Sequence, residues 1–150
     1  MKKVFITVVS IAIFLTSACA AHAFTVTATS TSSGNYEDGQ FTPSGSGFRA
    51  RYVIDEREGT ITLTKIIEND REGRFSEGDS YEIVNVLESQ GPSALLVARD
   101  KKGQKIFTAV REGYMGSFET LIIGEDFYEY SNAANGRFYL EDGDVTRTGR

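Results

Sequence analysis

The chain has 150 residues and carries 16 Lys and Arg against 21 Asp and Glu, a formal net charge of −5. That balance disfavours nucleic acid and anionic membranes as partners and suits a basic protein. Its single Cys, Cys19, and single His, His22, both fall within the first 23 residues, so the remainder holds no Ser-His-Asp or Cys-His nucleophile, no imidazole base, no nitrogen-sulfur zinc site and no disulfide.

In chain order, Met1-Lys2-Lys3 is a basic start, Val4 to Thr16 an apolar run, and Ser17 to Ala23 a tract of mainly small residues. The run is shorter than a membrane span needs, and Ala21 and Ala23 form an A-x-A site. This pattern predicts a signal peptide over 1–23, cleaved after Ala23, and an exported, periplasmic or secreted protein. Leu15 to Cys19 also resembles a bacterial lipoprotein box, with Thr16 where that pattern usually has Leu. Lipid anchoring through Cys19 is the alternative. Losing Lys2 and Lys3 with the leader takes the formal charge from −5 to −7. Residues 24–150 suit a single domain. With no disulfide, its core must hold it together, and eight Phe and seven Tyr lie beyond residue 23 to supply that core.

Phe24 to Thr31 alternates as a first strand or a loose arm, and Ser32 to Gly47, rich in Gly, Ser and Asn, reads as a loop. The clearest element is a β-hairpin. Phe48, Ala50, Tyr52 and Ile54 alternate with mostly polar residues, Glu56 to Gly59 make a turn, and the return run to Glu68 places Ile61, Leu63 and Ile67 on one face. A polar stretch covers Asn69 to Ser80. Tyr81 to Glu88 is apolar on two sides, which predicts an interior strand or one covered on both faces. The short apolar run Ala94 to Ala98 reads as a buried strand, followed by strands at Ile106 to Val110 and Phe118 to Ile123. Over 126–135 the spacing of Phe127, Tyr130 and Ala134 allows one short helix, whereas Asn135-Gly136 signals a tight hairpin. Arg137 to Glu141 is a last strand, and Asp142 to Arg150 reads as a frayed tail.

Short strands with frequent turn signals predict an all-β fold, an antiparallel up-and-down meander closed into a small barrel of about seven to eight strands. The long 32–47 and 69–80 connections keep a β-sandwich as the alternative. The meander resembles lipocalin-like barrels in strand count and hairpin connections alone; no family motif matches residue by residue, so no site is carried over.

Three groups are candidate sites. Glu68 to Asp79 resembles a twelve-residue calcium loop through Asp70, Glu72 and Asp79, with Gly73 at the sharp turn, but Arg71 and Arg74 bring in positive charge and strands flank it. The pairs Asp55 and Glu58, and Glu125 and Asp126, have the composition of a glycosidase acid and base, yet lie in turns where carboxylates are solvated. The aromatics Tyr114, Phe118, Phe127, Tyr128, Tyr130, Phe138 and Tyr139 would divide, one subset filling the barrel or lining a cavity and the other forming an outer contact patch. Tyr114, Tyr128 and Tyr130 are the binding candidates. No cofactor is indicated. The expectation is an exported, non-catalytic domain that binds a protein or a small apolar ligand; the alternatives are an assembly subunit using its N-terminal strand and a carboxylate-based glycoside hydrolase.

Overall fold

The computed structural model describes residues 23–45, 47–69, 75–89, 103–113 and 116–148. They form nine strands: β1 (Ala23–Glu37), β2 (Gln40–Ser44), β3 (Phe48–Asp55), β4 (Thr60–Asn69), β5 (Ser80–Glu88), β6 (Lys105–Glu112), β7 (Phe118–Ile123), β8 (Phe127–Ala134) and β9 (Arg137–Arg147). Every pairing is antiparallel, in the order β2-β1-β3-β4-β5-β6-β7-β8-β9, and β1 also pairs with β9. That last pairing closes an eight-stranded barrel and leaves β2 as an extra strand outside the ring. The predicted leader up to residue 22, the run Ala94 to Ala98, Asp70, Glu72 and Tyr114 lie outside the described residues. No helix among the described residues is long and apolar enough to cross a membrane.

Alternation sets which residues enter the barrel. Val26 and Ala28 of β1, Ala50, Tyr52 and Ile54 of β3, Ile61 and Leu63 of β4, Leu121 and Ile123 of β7, and Val145 of β9 are all buried, while Arg49, Thr64 and Lys65 are exposed. One inward position departs from strict alternation. Register shifts in the β3–β4 pair set Leu63 opposite Tyr52 and Ile66 opposite Ala50, so Ile66 packs against the core instead of the expected Ile67. An extra residue in one strand reverses the faces beyond it.

Between β4 and β5 the ladder spans only Thr60 to Thr62 against Ser80 to Glu82. Above it, residues 76–79 run beside β4: Gly78 N donates to Leu63 O at 2.7 Å and Leu63 N to Asp79 O at 2.8 Å. This brings Phe75 inward. Its ring stacks on Phe48 at 4.3 Å and meets Tyr130 edge-on at 4.9 Å, and Tyr130 lies 6.1 Å from Tyr139. A line of rings therefore crosses the barrel from β3 to β9, as the narrow bore of an eight-stranded barrel requires.

Five expectations are corrected or decided between their alternatives. The 32–47 stretch is a hairpin: β1 continues to Glu37, turns at Asp38-Gly39 with positive φ at both residues, and returns as β2. The 126–135 segment is the strand β8, because Asn135 and Gly136 adopt the positive φ of a two-residue turn. The tail is ordered through Arg147, since β9 pairs with both β8 and β1. Gly143 permits this: a side chain there would run into the Thr29 carbonyl and the Tyr128 ring. Finally, β5 is not covered on both faces, because Val84, Val86 and Leu87 are exposed where the strand extends beyond its partner β4. Nor is Phe24 to Thr31 an open arm; it is paired with β3 on one edge and β9 on the other.

On the outside, Glu129 of β8 faces Asp142 of β9 directly across the ladder. Partial burial, reinforced by Asp142, holds the Glu129 carboxyl above its ordinary value. The folded chain keeps that proton over a pH range in which the unfolded chain has released it, so this group's stabilisation is fully present below the unfolded value, about 4.3, and is lost as pH rises through the folded one. Glu129→Gln should raise the thermal midpoint at neutral pH and leave it unchanged well below that unfolded value; equal shifts at both pH values in calorimetry would refute the assignment. In the core, Leu63→Ala should cost about 2 to 5 kcal/mol in denaturant unfolding.

Candidate functional site

Two adjacent hairpins shape one end of the barrel. The turns Asp38-Gly39 and Asn135-Gly136 stand side by side there because β1 and β9 are neighbours, with Asn35 opposite Tyr139. Arg137 Nε donates to Glu37 Oε1 at 2.9 Å and ties the two hairpins together. Inward alternation then directs Asn35 and Glu37 of β1, Asn132 of β8 and Tyr139 of β9 to one concavity of about 640 Å³, completed by Asn135 and Arg137. That volume is within the range of small-molecule sites.

Two carboxylates are buried below this mouth. Glu141 accepts hydrogen bonds from the Tyr128 hydroxyl at 2.5 Å and the Tyr139 hydroxyl at 2.7 Å. Glu119 accepts from the Tyr81 hydroxyl at 3.1 Å and from Arg111 Nη2 at 2.8 Å. Arg111, directly opposite Glu119 across the β6–β7 ladder, also forms an ion pair with Asp79. Burial pushes the Tyr128 hydroxyl well above its ordinary value, and the Glu141 carboxylate adds to the shift. Tyr81 moves the same way, through burial first and then Tyr52 and Glu119. Both therefore remain protonated donors. Burial alone would favour deprotonating Arg111, yet its hydrogen bond to Asp79 and the neighbouring Glu119 carboxylate raise its value, so the guanidinium stays charged. A buried network with its members paired is rigid, and here it forms a fixed floor beneath the mouth.

The sequence candidates are distributed differently. Tyr128 and Tyr130 are in the interior, joined there by Tyr139. Asp79 of the supposed calcium loop carries the Arg111 guanidinium and caps Ser76 N at 2.9 Å, and Glu68 lies in β4. Asp55 accepts from the backbone N–H of Arg57 and Glu58, both at 3.0 Å, and so fixes the β3–β4 turn. Among the described residues, no group of three or more His, Cys, Asp or Glu is arranged to hold a metal ion. Sequence reasoning missed Asn35 and the Glu37–Arg137 tie because it read 32–47 as a loop, and Asn132 because the spacing over 126–135 allowed a helix; the signal for the first was Asp38-Gly39 between the alternating Tyr36 and Phe41. It also missed Arg111, Glu119 and Glu141. Their signal was an ionisable residue in the inward phase of an apolar strand, as in Glu119-Leu121-Ile123.

No family model, no curated protein and no solved structure matches this chain.

Replacing Arg111 leaves the Glu119 and Asp79 carboxylates without their counter-charge in a largely buried setting. Arg111→Met should cost about 3 to 5 kcal/mol in urea unfolding. Adding Glu119→Leu should restore part of that loss, because an apolar pair of similar volume carries no desolvation cost; an additive double variant would show that the two residues are not coupled.

Proposed function

We propose that this chain is an exported, non-catalytic binding domain that holds a small, uncharged, polar ligand in the mouth of the barrel. The observation that carries this reading is the 640 Å³ concavity lined by Asn35, Asn132, Asn135, Tyr139 and the mutually neutralising Glu37 and Arg137. Asn amides offer a donor and an acceptor on one plane, which matches hydroxyl or amide groups on a ligand. At the rim the Glu37 carboxylate is paired with the Arg137 guanidinium, so neither is left to select an ion. An apolar ligand is less suited, because the rings of Phe48, Phe75, Tyr130 and Tyr139 occupy the bore below. The non-catalytic part rests on Glu119 and Glu141, each committed to two donors, and on the exported part stands the signal-like segment at 1–23.

The test is ligand-observed NMR of the purified protein with a panel of neutral mono- and disaccharides and small amides. At least one should bind, and Asn132→Leu and Asn35→Leu should each weaken it roughly tenfold, about 1.4 kcal/mol. A panel with no binder, or a binder indifferent to both substitutions, rejects the mouth as the site.

A further inference from the structure

A second surface lies on the outer wall of the same end, independent of the mouth. Phe41 of β2, Tyr36 of β1, Phe138 of β9, Ala133 of β8 and Phe118 of β7 are successive cross-strand neighbours. They form one unbroken row across five strands. The four aromatics and Leu140, two residues along from Phe138, are between 37% and 54% exposed. At the far side the Phe41 ring lies on Gly34, where any Cβ would collide with it. An apolar row of this length marks an interaction site more often than scattered single residues do.

Charge beside the row is one-sided. Glu129 and Asp142 stand directly opposite each other, an arrangement that destabilises a ladder. The outward positions of β7, β8, β9, β2 and the second half of β1 contain no Lys or Arg. Between the acids and the row is a notch of about 90 Å³, lined by Ile122, Glu129, Phe138 and Leu140 among others. It is far below the volume of a small-molecule site, and suits one side chain with an apolar stem and a cationic head.

The edge strand adds a constraint. The two-residue Asp38-Gly39 turn makes Glu37 and Gln40 the first hydrogen-bonded pair, so Phe41 and Pro43 direct their main-chain groups to the open edge. Pro43 has no N–H, which blunts that edge against an added strand. Binding here is therefore through side chains on the face.

We infer that this wall docks a basic segment of another protein, one Lys or Arg of which lays its stem between Ile122, Phe138 and Leu140 and its charge on Glu129 and Asp142. The contact neutralises the opposed acids and covers the exposed rings, on which a guanidinium or ammonium can also rest.

The probe is a fluorescein-labelled seven-residue peptide of alternating Leu and Lys, followed by anisotropy at low salt, with an alternating Leu and Gln peptide as control. The Leu-Lys peptide should bind. The double variant Glu129→Gln/Asp142→Asn and the single variant Phe138→Ser should each weaken it at least tenfold. Glu58→Gln/Glu82→Gln, which removes the same charge elsewhere, should leave it unchanged. Absence of binding, equal binding of the Leu-Gln peptide, or equal loss in the Glu58/Glu82 variant overturns the inference. So does light scattering that shows a wild-type dimer abolished by Phe138→Ser, because the face then belongs to a second copy.

Discussion

The pairing of β1 with β9 is the contact on which the rest of the structure depends. Its register runs from Val26 opposite Arg147 to Tyr36 opposite Phe138, with one irregularity near Thr31. Without it the sheet has two open edges and an unclosed core; with it the ring strands have partners on both sides and the interior is shielded from water. Closure is the device that removes exposed edges from antiparallel sheets. The length of β1 makes this economical in chain. Its first half lies between β3 and β9, and its second half continues past β3, where β2 takes over as partner.

The same closure divides the barrel by polarity. Toward the β3–β4 turn the interior holds Ile54, Ile61, Phe107, Ile123 and Val145, all buried. Toward the opposite end it holds Asp79, Arg111, Glu119 and Glu141 together with tyrosine hydroxyls. Burying that many ionisable groups is costly unless each is paired. Here the pairing is across strands: Arg111 faces Glu119 on β6 and β7, while Glu141 faces Ser33 on β1 and accepts from Tyr128 and Tyr139. The polar end is thus rigid without being apolar, and a polar mouth can sit on it without opening the core.

Alternation then gives the polar end two unlike surfaces from the same residues. Along β9, Tyr139 and Glu141 point inward while Phe138, Leu140 and Asp142 point outward. The inner set supports the neutral mouth, and the outer set supplies part of the aromatic row and its acidic border. Because the side-chain period of a strand is two, a slip of one residue in the β8–β9 register would exchange them. The Asn135-Gly136 turn, which requires positive φ at both positions, holds that register.

The sequence alone determined the all-β class, the meander order, the β3–β4 hairpin and the division of the aromatics into an inner and an outer subset. Each of these follows from local period and turn chemistry, which neighbouring residues carry in themselves. Tertiary structure decided the rest. Asp142 to Arg150 reads as a frayed tail until Gly143 is seen fitted against Tyr128 and Thr29, and Asp79 looks like a metal ligand until Arg111 reaches it from β6. Val84 and Leu87 look like interior residues until the shortness of the β4–β5 ladder is known. The mouth was illegible for the same reason. Its residues come from β1, β8 and β9, about a hundred positions apart in the chain, as with Glu37 and Arg137; only the closure of the barrel brings them within hydrogen-bond reach.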